Sequence, residues 1–94
     1  MGETELGPDS VVRRRMEARV RKYRGNLFIA VRDQALELDE VAQAIFRRID
    51  STSTLREIAA RLAEEYDIPV DEATGDTVDF VAQLVGHGVV EVVE

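Results

Sequence analysis

The sequence predicts an α+β domain in which an N-terminal three-stranded antiparallel sheet is followed by three helices, resembling a winged helix-turn-helix. Two observations support this prediction. Apolar residues in the first half form short strand-like runs between turns, whereas those in the second half recur at the three- and four-residue spacing of helices. The period changes within the stretch QALELDEVAQAIFRRID, residues 34–50, so a strand leads directly into a helix at Asp39.

The three predicted strands are marked with unequal clarity. The run LFIAV, residues 27–31, follows the turn residues Gly25 and Asn26 and is the most strand-like of the chain. Residues 35–38 form a third, short strand. Residues 12–24 alternate imperfectly and their composition also suits a helix, so the sequence leaves strand and helix open for this segment.

Three helices follow the strands. The first covers residues 40–49, and the second follows DSTST, where Ser53 is the predicted N-cap and Glu57 lies close to the capping-box position. Pro69 ends the second helix, and the third spans residues 71–86. The segment HGVVEVV then turns at Gly88 and could add a short final strand. The predicted core residues of the second and third helices are Leu55, Ile58, Ala59, Leu62, Val78, Val81, Leu84 and Val85.

The chain is 94 residues long, which suits one small domain. Residues 1–10 are predicted to form a disordered tail and residues 11–94 the fold. A core of this size leaves little room for a buried multi-part active site, so we expect no enzyme activity. Without cysteine the chain offers no thiolate ligand or nucleophile. No apolar run approaches the roughly 20 residues that span a bilayer, so we expect a cytoplasmic protein with no membrane partner.

Charge is distributed unevenly around a net value of −7. Residues 11–24 carry seven cations and one acidic residue, whereas the chain after Asp50 carries two arginines and ten acidic residues. A winged helix invites comparison with DNA readers, but the third predicted helix contains no lysine or arginine and four acidic residues. Phosphate would repel such a helix, so nucleic-acid binding is a disfavoured alternative that depends on the basic segment.

Three further patterns carry little chemistry. Asp9 and Ser10 resemble the phosphopantetheine attachment site of carrier proteins, but only nine residues precede this serine. His87 stands alone between two glycines at a predicted helix end, where it suits capping better than metal binding or base catalysis. The acidic series of residues 64–79 lacks the spacing of a calcium loop. We therefore predict no catalytic residue, no metal and no cofactor.

The segments LELDEVAQAIFRRID, STLREIAARLAEEYDIPVDEA and VDFVAQLVGHGVVEVV, taken in this order, resemble the pyrroloquinoline quinone biosynthesis protein D (PqqD-like) family. The resemblance covers residues 12–93. It implies a RiPP recognition element, a small accessory domain that captures the leader of a ribosomally made precursor peptide and presents it to a separate modifying enzyme. The family's commonest partner is a radical S-adenosylmethionine enzyme, in peptide natural product or cofactor biosynthesis.

The resemblance also implies where the leader binds. In this family the leader joins the sheet as an added strand, between the third strand and the third helix. Independently, helical spacing places Ala73, Phe80 and Leu84 at the margin of the predicted core face of the third helix. Asp76 and Gln83 flank the same margin. An open strand edge would also allow a homodimer to form through the sheet. The expected peptide-binding residues are Gln34, Ala35, Leu36, Glu37, Leu38, Ala73, Asp76, Thr77, Phe80, Gln83 and Leu84.

Overall fold

The computed structural model describes residues 6–16, 18–31 and 33–93. It confirms the predicted α+β class, with antiparallel strands followed by three helices and a final strand. None of the described helices is both long and apolar enough to cross a bilayer. The elements in chain order are β1 (Val11–Arg14), β2 (Arg19–Tyr23), β3 (Asn26–Val31), β4 (Gln34–Leu38), α1 (Glu40–Arg47), α2 (Leu55–Tyr66), α3 (Val70–Gly86) and β5 (Val90–Val93).

Strands β2, β3 and β4 form the predicted antiparallel meander, with β3 in the centre. The register places Ile29 opposite Leu36 and Leu27 opposite Leu38. The turn between β2 and β3 lies one residue earlier than predicted, at Arg24 and Gly25, whose φ angles are 53° and 84°. Positive φ at both positions matches the right-handed twist of a two-residue hairpin, and Asn26 already belongs to β3. Within the described residues, β2 and β4 are therefore the two edges of this sheet.

The prediction of one strand or one helix for residues 12–24 was wrong, because the segment divides into β1 and β2. Strand β1 pairs with β5 in a second, two-stranded sheet, with Val12 opposite Val92. The amide of Arg15 donates to the carbonyl of Val89 at 2.8 Å and extends this pairing. Met16, which was expected on a strand face, is 97% exposed between the two strands. The predicted final strand after Gly88 is confirmed as β5.

The described part of the predicted tail, residues 6–10, contacts the start of α2. The amide of Leu55 donates to the carbonyl of Ser10 at 2.9 Å, and the amide of Arg56 donates to that of Pro8 at 2.7 Å. The side chain of Leu6 packs against the core. Residues 1–5 lie outside the described part of the chain, and the domain boundary at residue 10 stays a prediction.

Helix starts follow local side-chain chemistry. The Asp39 carboxylate caps α1 by accepting from the Ala42 amide at 2.8 Å, as predicted. For α2 the prediction of Ser53 was wrong, because Thr54 is the N-cap and forms a capping box with Glu57. Ser53 instead donates its amide and hydroxyl to Asp50, at 2.8 and 3.0 Å. These bonds lower the pKa of the Asp50 carboxyl well below its usual value, so the stability they contribute is lost as acid protonates it.

One continuous core joins the three helices to both sheets. The core face of α3 differs from the prediction, since Val85 is 37% exposed and Val78 is only partly buried. Val81 and Leu84 are buried as predicted, and Ala73 and Thr77 complete the buried face of α3. The largest side chains with almost no exposed surface are Phe46, Ile29, Ile45, Leu55, Ile58, Leu62, Leu84, Val12, Val81, Val89 and Val90.

Candidate functional site

The candidate site is the space along the free edge of β4 beside α3, which we call the β4–α3 groove. Strand β4 pairs with β3 on one side only, and no described strand pairs with its other side. In an antiparallel strand the backbone groups of alternate residues point away from the partner. The edge therefore presents unpaired N–H and C=O groups that can accept another strand.

Two observations show how β4 lies relative to α3. At the start of the strand, the Gln34 side-chain oxygen lies 2.8 Å from Nδ1 of His87, at the end of α3. Directly after the strand, Asp39 lines a cavity together with Asp76 and Phe80 of α3. The strand and the helix therefore run in opposite directions along the groove. Five strand steps cover about 17 Å and eleven helix steps from Asp76 to His87 about 16 Å, so both walls are equally long.

The side chains of β4 alternate between the core and the surface. Leu38 is buried and Leu36 half-buried against the core, whereas Ala35 and Glu37 are exposed. Gln34 is exposed at the start of the strand. The strand is therefore anchored by its two leucines and offers mainly its backbone edge to a partner.

The predicted α3 residues fall into two groups. Asp76 and Gln83 are exposed and Phe80 is partly buried, so all three reach the surface of the helix. Ala73, Thr77 and Leu84 have no exposed surface. In this structure the second group supports the groove from beneath and does not line it, because these side chains face the core. Direct contact of these three residues with a peptide stays a prediction.

A cavity of about 350 Å³ lies at the Asp39 end of the groove. Its floor is apolar and its rim is acidic. Such a site suits a side chain that joins an aliphatic stem to a positive end, as in lysine or arginine. Helix α1 had no part in the site expected from the sequence, because Val41 fits the apolar repeat of a helix that packs on the core. The structure leaves Val41 37% exposed in the first turn of α1. The lining residues are Val41, Ala42, Ile45 and Phe80 in the floor and Asp39, Asp76, Asp79 and Gln83 at the rim.

His87 ends α3 as the sequence predicted, since it is the C-cap residue and its amide donates to the carbonyl of Gln83 at 3.0 Å. Its bond to Gln34 was not predicted, because the two residues are 53 positions apart. A second cavity, of about 390 Å³, lies at this end and is lined in part by Gln34 and Val85. The groove thus has a cavity at each end.

Thr77 carries a buried hydroxyl for which the described residues provide no hydrogen-bond partner. Leaving such a group unsatisfied costs about 1 to 3 kcal/mol. Thr77→Val keeps the branched shape and removes the hydroxyl, so we expect the free energy of unfolding in urea to rise by about 1 kcal/mol. Thr77→Ser, which keeps the hydroxyl and deletes the methyl group, should lower it. A valine variant less stable than the wild type would show that the hydroxyl is bonded.

Comparison with known proteins shows the family of this chain. Residues 25–90 match the family described as coenzyme PQQ synthesis protein D (PqqD). The chain belongs to the PqqD family. This membership confirms the resemblance seen in the sequence. A PqqD-family relative from Rhizobium meliloti strain 1021, named a PqqA binding protein, is 34% identical over 71 residues, which are 76% of this chain and 72% of the relative.

Other known proteins are similar to this chain in sequence or in structure. A PqqA binding protein of Xanthomonas oryzae pv. oryzae strain PXO99A is 35% identical over 52 residues, covering 55% of this chain and 56% of the relative. The solution NMR structure of the PqqD part of Methylobacterium extorquens PqqCD, described as a functional and stand-alone RiPP recognition element, superposes with a TM-score of 0.79 and 24% identity. That alignment covers 94% of this chain and 96% of the other.

A crystal structure of PqqD from Xanthomonas campestris is also similar, with a TM-score of 0.56 and 27% identity. It covers 77% of this chain and 82% of the Xanthomonas chain. The fold described above is therefore a PqqD fold.

Proposed function

We propose that this PqqD-family chain binds the leader segment of a ribosomally made precursor peptide in the β4–α3 groove and presents it to a separate modifying enzyme. The observation that carries the proposal is the unpaired edge of β4 beside the surface of α3, with a cavity at either end. The name of the Rhizobium relative and the description of the Methylobacterium structure support the same function.

Strand addition explains how a small groove can hold a peptide. Main-chain hydrogen bonds to the edge of β4 provide affinity without demanding a particular leader sequence. Side chains of an added strand alternate, so every second one would point towards α3 and the cavity at Phe80. We expect the leader residue above this cavity to be apolar along its stem and basic at its tip, because Asp76 and Asp79 stand at the rim.

The chain itself would perform no bond-making step. A bound leader holds the rest of the precursor near the enzyme, which raises the effective concentration of the peptide at the enzyme's active site. We propose a radical S-adenosylmethionine enzyme as the partner, acting with this chain in the cytoplasm. A homodimer could form through the edge of β4, and leader binding would then compete with it.

The proposal is tested by titrating the protein with labelled synthetic leader segments of the precursor peptides encoded beside it. A saturable complex is expected for one of them, together with much weaker binding of a scrambled peptide of the same composition. Equal affinity for the scrambled peptide, or no binding to any encoded leader, would overturn the proposed function.

A further inference from the structure

Strand β2 forms the second open edge of the three-stranded sheet. All five of its residues are exposed, and among the described strands it pairs with β3 alone. Edge strands often carry charged residues that prevent aggregation, and this protection would by itself explain a few lysines or arginines. The residues on and around β2 include more cations and more exposed apolar side chains than protection against aggregation requires.

Cations are concentrated on this edge. Elsewhere, Arg13 pairs with Glu91 and Arg56 with Asp9. Within the described residues, no ion pair joins an acidic group to the cations of β2 and its turn. Cations that form no ion pair are available to a partner of opposite charge, and they can steer that partner from a distance. These unpaired cations are Arg19, Arg21, Lys22 and Arg24.

Exposed apolar side chains accompany these cations. Met16, Val20 and Tyr23 are 97%, 45% and 60% exposed, and they are three of the six large hydrophobic residues found exposed in the described chain. The guanidinium of Arg24 lies 5.3 Å from the centre of the Tyr23 ring. Arginine, tyrosine and methionine are enriched in protein interfaces, whereas a purely protective edge needs no apolar groups. The composition therefore favours a protein partner over a solvated face.

The position of this edge leaves the groove accessible. Strand β3 separates β2 from β4, so the two edges lie about 10 Å apart on opposite sides of the sheet. A partner on β2 and an added strand on β4 could therefore be bound together. A second copy of this chain is a poorer occupant, since pairing its acidic helices with β2 would be head-to-tail and would not form the common two-fold symmetric dimer.

We propose that Met16 and residues 18–24, together called the β2 surface, dock an acidic and partly apolar surface of the modifying enzyme while the leader occupies the β4–α3 groove. The inference rests on the proposed function, because it takes the enzyme as the partner. It assigns the two edges of one sheet to two ligands, so that a single small domain holds enzyme and peptide side by side.

The test uses charge reversal in the full-length protein, with the modifying enzyme encoded beside it as the probe. Arg19→Glu/Arg21→Glu is expected to weaken enzyme binding at least about 10-fold at low salt, and less as salt rises. The matched control, Arg47→Glu/Arg61→Glu, makes the same change in net charge on α1 and α2 and should have a much smaller effect. Circular dichroism and thermal unfolding confirm that both variants are folded, and leader affinity is measured on the same samples.

If the β2 variant binds the enzyme as tightly as the wild type, or if the control loses as much affinity, β2 is not the docking surface. Normal leader binding by the same variants would leave the proposed function intact. Failure of the wild type to bind any leader would instead contradict the proposed function. Two further results would overturn enzyme docking by assigning β2 elsewhere. In the first, the β2 variant loses binding to a DNA duplex while its affinity for the enzyme is unchanged. In the second, the wild type self-associates and the β2 variant is a monomer whose affinity for the enzyme is unchanged.

Discussion

Replacing Phe46 by alanine is expected to lower the free energy of unfolding by about 3 to 5 kcal/mol. The side chain is 2% exposed, so its removal leaves a cavity within the core. The ring also receives the guanidinium of Arg14, whose carbon lies 4.1 Å from the ring centre, and Nη2 of Arg14 donates to the Phe46 carbonyl at 2.9 Å. Losing the ring removes the cation–π contact as well, which is worth about 0.5 to 1 kcal/mol at a partly exposed site.

Small domains are typically stable by about 5 to 15 kcal/mol, so this loss would bring the protein close to unfolding. Urea unfolding followed by circular dichroism measures it. Phe46→Leu keeps an apolar side chain and should lower the free energy of unfolding considerably less. Phe28→Ala is a second control, because it removes the same ring from a partly exposed position on β3. A loss below about 1 kcal/mol for Phe46→Ala would contradict the packing described for α1.

Phe80→Ala is expected to weaken leader binding by about 1 to 3 kcal/mol, which corresponds to roughly 5- to 150-fold in Kd. Phe80 is the large aromatic residue of the cavity at the Asp39 end of the groove, where it forms part of the apolar floor. An added strand would place one side chain against it, and truncation would remove that apolar contact. Titration with the labelled leader measures the change in affinity.

Val70→Ala is the matched control for this variant. Val70 is the first residue of α3 and is 49% exposed, so it shares the helix with Phe80 but does not line the cavity. Its replacement should leave leader affinity unchanged. If Phe80→Ala is folded and binds the leader as tightly as the wild type, Phe80 is not an anchor.

The helices could be predicted because their signals are local. Asp39 caps α1 through a residue three positions away, and Pro69 directly precedes α3. The exact cap of α2 was missed because Ser53 and Thr54 are equally suitable by type. Asp50 decides between them by binding the amide and hydroxyl of Ser53. The local sequence thus predicted the helix, and the turn formed by Asp50 and Ser53, also local, set its first residue.

The division of residues 12–24 could not be predicted, because its cause is distant in sequence. Strand β1 is defined by its pairing with β5, in which Arg13 lies opposite Glu91. Alternation within a segment does not show which strand it will join. The same limitation explains why the segment was left open between strand and helix.

The sequence assigns the strand side of the candidate site more clearly than the α3 side. The strand side consists of consecutive residues, so Gln34 to Leu38 could be proposed together once the family resemblance was known. On α3, however, apolar residues occupy two adjoining faces, and the sequence favoured Val78 and Val85 over Ala73 and Thr77 as core. Packing against the rest of the domain selects the second face. Of the predicted α3 residues, Asp76, Phe80 and Gln83 therefore reach the surface, and peptide contact of all the predicted site residues stays a prediction.

The most direct test of leader capture by strand addition is an NMR titration of the isotope-labelled domain with its leader peptide. We expect saturable amide shifts at residues 34–38 and 76–87, new protection of alternate β4 amides, and cross-strand nuclear Overhauser contacts between the peptide backbone and β4. A saturable complex whose shifts and contacts lie on β2, with β4 unchanged, would contradict the account.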